Sequence, residues 1–326
     1  MTMKLLILGG SGFVGRALAG EGVARGYDVT LFNRGLRGSP AGVRVLTGDR
    51  QSADGLAALR VDQSWDLVVD TWSAGAGAVG RTARLLSGRA RHYTYVSSRS
   101  VYRWGTPAPL TEAAPLADPR EPGYAGDKVR GELAAADFGG PLLLARAGLI
   151  LGPLEDIGRL PWWLNRLARG GPTLAPGPRI LPLQYIDARD LAIFLLDAAA
   201  AGLTGPYNVV SEPGHTTMGE LLEIGAEVTG RRARLRWTDP AVIQRYGIQP
   251  WTQLPIWLPP GPDHDFLHRG DVSKALGAGL RCRPIYDTVA DTWTWLQGLH
   301  GGAPRRTDRD AVGLDPALEA KVLGEQ

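Results

Sequence analysis

The segment Lys4-Leu-Leu-Ile-Leu-Gly-Gly-Ser-Gly-Phe-Val-Gly15 opens with one lysine and four unbroken aliphatics, the pattern of a strand buried on both faces of a parallel sheet. Glycines follow at 9, 12 and 15, and Phe13, Val14 and Leu18 begin a helical pattern. A strand turning sharply into a helix aims free backbone N–H groups and the positive dipole end at one spot, which suits a pyrophosphate. In that role Gly9 allows the tight turn, Gly12 a close approach of the ligand, and Gly15 close packing of helix on strand. The spacing G-x-x-G-x-x-G differs from the commoner G-x-G-x-x-G, and glycine is frequent here, 44 of 326 residues, so the motif needs support from the rest of the chain.

That support comes in order. Tyr27–Arg34 has the pattern of a second strand, whose C-terminal end in a doubly wound fold lies beside the adenosine ribose. It ends in Asn33-Arg34, with Arg37 three residues on, and has no carboxylate to accept from both ribose hydroxyls. Two guanidiniums suit a 2′-phosphate, so NADP(H) is expected ahead of NAD(H). Val43–Thr47 forms a third strand leading to Gly48-Asp49-Arg50. Asp49 either accepts from the adenine amino group or closes a turn before a helix starting near Ala53. Trp65–Asp70 is the fourth strand, and Thr71 and Trp72 follow it past the cofactor. Ala76–Ser87 reads as a helix. Arg91–Ser98 is the fifth strand and ends in two serines. Such alternation predicts an α/β, doubly wound parallel sheet covered on both faces, Rossmann-like, and the chain beyond Pro153, richer in Pro and Trp, is consistent with a small C-terminal substrate lobe.

Tyr124 and Lys128 are four apart, and so share one face of a helix. An ammonium beside a phenol stabilises the phenolate and lowers a pKa that is otherwise about 10, which makes the tyrosine usable as a proton donor. Lysine occurs only at 4, 128, 274 and 321 in a chain that writes arginine elsewhere, so its use here favours a compact point charge.

Four stretches together, Gly9–Gly15, Tyr95-Val-Ser-Ser-Arg-Ser-Val-Tyr102, Tyr124-x-x-x-Lys128 and Gln184-Tyr-Ile-Asp-Ala-Arg-Asp-Leu-Ala192, resemble the extended short-chain dehydrogenases/reductases, the NAD(P)-dependent epimerase/dehydratase-like group. They stand in family order and separation, and the resemblance covers about residues 3 to 300. It implies that Gly9, Ser11, Gly12, Phe13, Val14 and Gly15 hold the cofactor along with Asn33, Arg34, Arg37, Asp49, Arg50 and Thr71. It also implies that Ser98, four residues before the tyrosine of the Val-Tyr pair, holds the substrate oxygen. Tyr124 would exchange its proton, and Lys128 would aid the tyrosine and bind the nicotinamide ribose. Two departures stand out: Ala78–Arg81 lacks the asparagine many members carry, and Leu149 replaces an asparagine that holds a substrate diphosphate in many sugar-nucleotide enzymes.

The boundaries expected are a dinucleotide-binding domain over 1–153, a mixed region over 154–300 that partly completes the sheet and mostly forms the lobe, and a mobile tail over 301–326 with a short helix near Pro316–Leu323. Trp72, Arg99, Trp162, Trp163 and Trp257 are candidate substrate contacts, although core packing competes for Trp162 and Trp163. The proline-braced stretch 250–270 is a candidate lid. His264 and His268, with Asp263 and Asp265, come nearest to a metal set, but surrounding prolines and the lack of a zinc motif argue for no metal.

A hydrophobic share of 44 % and a charged share of 21 % fit an ordinary soluble domain, and a net charge of +3 with no basic block argues against nucleic acid as partner. One cysteine, Cys282, excludes an internal disulfide and suits a reducing compartment; with no signal-peptide pattern or membrane span, the expected location is the cytoplasm. The partner expected is a small-molecule substrate, with a homodimer left open and no membrane. The function expected is NADP(H)-dependent interconversion of a carbonyl and a secondary alcohol through a Ser-Tyr-Lys site. The alternatives are an epimerase or dehydratase of an activated sugar with tightly bound NAD, and a non-catalytic NADP sensor or RNA-binding relative.

Overall fold

The computed structural model describes residues 2–52, 54–60, 63–300, 302–306 and 310–324. Its frame is a seven-stranded, all-parallel sheet. In chain order the elements of the first half are β1 (Lys4–Leu8), α1 (Phe13–Ala24), β2 (Asp28–Asn33), β3 (Arg44–Thr47), β4 (Trp65–Asp70), α2 (Gly77–Leu86), β5 (Ala90–Ser98), α3 (Tyr124–Ala135) and β6 (Leu142–Ala147). The helix expected near Ala53 is a short 3-10 turn, Asp54–Leu59; Ala53 itself lies outside the described residues. After α4 (Arg159–Arg169) and α5 (Ala188–Ala200), a seventh strand, Gly205–Val209, pairs with β6. The spatial order runs Gly205–Val209, β6, β5, β4, β1, β2, β3. The direction of winding therefore reverses between β1 and β4, and ligands of such sheets bind at that point, beyond the strand C-termini.

The unbroken aliphatic run of β1 is explained by its two faces. Leu5 and Ile7 pack with Leu18, Leu191 and Phe194, under α1 and α5, while Leu6 and Leu8 pack with Val79, Ala83 and Leu86 of α2. All four are fully buried.

The lobe has its own core, in which α4, α6 (Met218–Val228) and the helix Ile285–Gln297 pack beside a parallel strand pair, Gly171–Pro176 with Ala233–Thr238. The N-terminus of α6 carries a full capping box between Thr217 and Glu220. The tail is not loose in its last part. Helix Pro316–Gly324 seats Val322 in the lobe core, and its buried Glu319 pairs with Arg166 at 2.7 Å and accepts from Leu174 N. A carboxylate four residues into a nine-residue helix anchors it, which composition alone does not reveal. Among the described residues no helix is long and apolar enough to cross a membrane.

Candidate active site

The turn after β1 has the geometry its glycines anticipate. Gly9 has φ 122°, and a side chain there would collide with Thr71 Oγ1. At Gly15 a Cβ would stand 2.5 Å from the backbone of Gly10, so only glycine lets α1 pack against its own approach loop. Gly12 precedes α1 with no side-chain cap, which leaves the helix N-terminus open toward a ligand. Asn33, at the end of β2, accepts from Gly35 N at 2.7 Å, and among the described residues its buried Nδ2 finds no partner. An orphaned donor there fits the ribose end of a dinucleotide. Gly12, Phe13, Val14, Gly15 and Thr71 line one side of a cleft of about 350 Å³. Gly9 and Ser11 shape the turn outside that lining.

The same cleft is lined by Ser98, Tyr124 and Lys128. Ser98 ends β5, and its hydroxyl accepts from Ser100 N at 3.1 Å. The neighbouring Ser97 donates to Glu132 at 2.6 Å, and Glu132 also pairs with Arg146, so Ser97 is committed to a buried network. Tyr124 is the first residue of α3 and is 36 % exposed, while Lys128 one turn on is 3 % exposed. Lys128 Nζ donates to the carbonyls of Trp72 and Val96 at 2.7 Å and to Tyr95 Oη at 3.3 Å. These acceptors fix the ammonium on the cleft floor. Burial pushes the Tyr95 phenol well above its ordinary pKa.

Arg99 lies in the same wall, 3 % exposed. Its guanidinium donates to Gln184 Oε1, Leu267 O and Phe266 O, and burial holds it down to about 10. His268 accepts from Gln184 N; burial, His264 and Arg99 push it down to about 3, so it stays neutral. Among the described residues no group of three or more His, Cys, Asp or Glu is placed to hold a metal.

Other expected contacts fall elsewhere. Arg50 is buried in an ion pair with Asp70 at 2.5 Å and donates to Thr82, so it is a structural residue and not a cofactor ligand. Asp49 accepts from Gln51 N, closing its own turn. Trp72 lies outside the cleft lining: its indole donates to Gly75 O, under the Arg50 guanidinium. Trp163 and Trp257 are core residues, 1 % exposed, with their indoles donating to Pro255 O and Gly177 O, and Trp162 packs edge-on against Trp163. Trp251 is the lobe tryptophan that does reach the cleft, at φ 65° and beneath Arg159.

A sequence model of the NAD dependent epimerase/dehydratase family matches residues 5–209, more than half of the chain and all of the glycine turn, the Ser98 strand and the Tyr124 helix. The chain belongs to that family. Solved structures with the same fold include a putative epimerase from Burkholderia cenocepacia, at TM-score 0.69 and 21 % identity over 90 % of this chain and 97 % of that one. Another is the Thermus thermophilus UDP-glucose 4-epimerase complex with NAD, at TM-score 0.64 and 20 % identity over 90 % and 99 %. A curated relative, the chloroplast stem-loop binding protein of 41 kDa b from Arabidopsis thaliana, is 28 % identical over 211 residues, 60 % of this chain and 54 % of that protein.

Within this epimerase/dehydratase frame the chain adds groups that spacing did not reveal. The loop 152–158 brings Asp156 and Ile157 to the cleft, and α4 brings Arg159. Glu155 is fully buried, accepting from Arg159 N and Leu160 N at the start of α4, and burial pushes it up to about 7. Arg306, from the segment expected to be mobile, reaches Ser73 Oγ at 3.3 Å and lines the cleft. The two acids before Gly158-Arg159 were the available signal, but they fit no periodicity.

Proposed function

We propose that the protein oxidises a secondary alcohol to a ketone with a bound nicotinamide dinucleotide, and returns or redirects the hydride as epimerases and dehydratases do, ahead of net carbonyl reduction. The observation that carries this is one cleft lined by both the open N-terminus of α1 and the trio Ser98, Tyr124 and Lys128. Nicotinamide, when bound, supplies the acceptor for the hydride. In this reading Ser98 Oγ hydrogen-bonds the substrate oxygen. Tyr124 Oη takes its proton as the carbonyl forms, and gives one back on the return step. Lys128, one helical turn after Tyr124 on the same helix and fixed by two carbonyls, supplies the ammonium that favours the phenolate in this reading. Leu149 lines the cleft in place of the asparagine that holds a substrate diphosphate in many sugar-nucleotide enzymes, which counts against a typical nucleotide-hexose substrate. The test is nucleotide release from the purified protein: tightly retained NAD(P) supports the hydride-recycling reading, and an empty site that turns over free NADPH with a ketone overturns it.

Cofactor choice rests on Asn33, Arg34 and Arg37. If the guanidiniums grip a 2′-phosphate, each charge-assisted hydrogen bond contributes roughly 1.5–3 kcal/mol, and NADPH binds about tenfold or more tighter than NADH. Replacing both arginines by alanine erases that preference chiefly by loosening NADPH. Calorimetric titration of both nucleotides checks it; equal affinities in the wild type refute it.

A second reading, RNA binding, is favoured by one surface. Arg232, Arg234 and Arg236 alternate along the exposed face of strand Ala233–Thr238 and the residue before it, and among the described residues none pairs with a carboxylate. Their spacing is about 6.6 Å per pair of residues. Arg236 also borders a groove of about 950 Å³ that contains Arg169 and Trp237. The Arabidopsis relative is described as a stem-loop binding protein. Anisotropy titration of a labelled RNA hairpin against salt tests this. Replacing the three arginines by alanine lowers the log–log slope by about 0.9 for each phosphate that is no longer neutralised. No binding by the wild type removes the reading.

A further inference from the structure

Asp156 has no part in the chemistry above, yet it stands in front of the turn that would receive the cofactor's phosphates. Its side chain is 9 % exposed, and its Oδ2 is 3.2 Å from Arg37 Nη1. The same oxygen is 3.9 Å from where a Cβ on Gly12 would stand. Its carbonyl accepts from Arg306 N at 2.9 Å, which fixes the loop between the lobe and the tail. Two kinds of phosphate meet this carboxylate. A pyrophosphate received by the α1 N-terminus would lie beside a like charge, and a 2′-phosphate would compete with it for Arg37.

We propose that Asp156 is a specificity-determining residue, an internal counter-charge that loosens dinucleotide binding and masks Arg37. The proposal rests on the nicotinamide-dependent reading above. It makes two separable claims: repulsion of the pyrophosphate acts on every dinucleotide, whereas masking of Arg37 acts on 2′-phosphorylated ones alone.

The experiment is calorimetric titration of NADH and NADPH into wild type, Asp156→Asn, Arg37→Ala and the double variant, each first stripped of any nucleotide it retains. Asparagine keeps the shape and removes the charge, so Asp156→Asn binds NADH about fivefold tighter, and NADPH tenfold or more. In the Arg37→Ala background the extra NADPH gain disappears and both nucleotides gain the same factor. Asp156→Ser, which also lacks the charge, reproduces the NADH gain and guards against a peculiarity of asparagine. Unchanged or weaker NADH binding in both charge-free variants overturns the proposal. A wild type that prefers NADH, with NADH still tightening in Asp156→Asn, leaves the counter-charge standing and removes only the cofactor preference. No binding of either nucleotide by any of the proteins overturns the nicotinamide reading and the proposal with it.

Discussion

Tyr124→Phe is expected to cut turnover by roughly 10²–10⁴, the share of rate credited to a positioned general acid or base. Melting temperature and dinucleotide affinity should stay close to wild type. The substitution removes one oxygen from a side chain that is 36 % exposed at the first turn of α3, where little packing depends on it. Among the described residues no neighbouring phenol is placed to substitute. Tyr95 Oη is buried between Trp72 O and Lys128 Nζ, and Tyr102 Oη donates to Asn208 Oδ1 at 2.6 Å. The readout is hydride exchange between substrate and bound nicotinamide, followed by its near-ultraviolet absorbance. Near-normal exchange in the variant would show that the proton moves through another group, and would return Tyr124 to the role of an ordinary helix-start residue.

The sheet was legible because strands buried on both faces leave continuous aliphatic runs: Leu5 to Leu8 cannot be placed any other way once helices cover both sides. Tyr124 and Lys128 were legible because a lysine at i+4 from a tyrosine stands out among arginines, whereas Ser98 was singled out over Ser97 only by the family resemblance. The lobe side of the cleft was not. Asp156, Arg159, Trp251 and Arg306 meet there from separate segments, and nothing in local spacing says that they converge. Tryptophans illustrate the same limit. Trp163, Trp251 and Trp257 have similar proline-rich surroundings in sequence, yet one reaches the cleft while two satisfy their indole N–H groups inside the lobe core. Arginine was the hardest residue to place. Arg34 is exposed at the end of β2, Arg37 is paired with a lobe carboxylate, and Arg50, only a short strand further on, is fully committed in the interior.

Arg50→Ala is therefore expected to destabilise the fold and to leave nucleotide affinity of the folded protein nearly unchanged. Arg50 donates to both oxygens of Asp70, at 2.6 and 2.5 Å, and also to Thr82 Oγ1 and Ala78 O, tying the loop after β3 to β4 and α2. Asp70 accepts from Tyr93 Oη and Trp72 N as well, and is fully buried. Removing the cation leaves that carboxylate buried without its counter-ion, at a cost of about 3–5 kcal/mol near neutral pH. Arg50→Lys should destabilise less, because it keeps the charge and gives up only the two-pronged geometry. The sign of the pH dependence follows from Asp70. Burial by itself would raise its pKa, but the charge and hydrogen bonds of Arg50, together with the hydrogen bonds from Tyr93 and Trp72, more than reverse this and hold it below the ordinary carboxylate value. A carboxylate depressed in the folded state contributes its stability above the unfolded pKa of about 3.9 and loses it as pH falls through the folded value. In Arg50→Ala the carboxyl, without its counter-ion, takes up a proton at higher pH, so the gap between variant and wild type narrows on acidification. Denaturant unfolding at neutral and acid pH measures both effects. A variant with intact stability and weakened NADPH binding would return Arg50 to the cofactor site and remove the buried pair as its reason for being there.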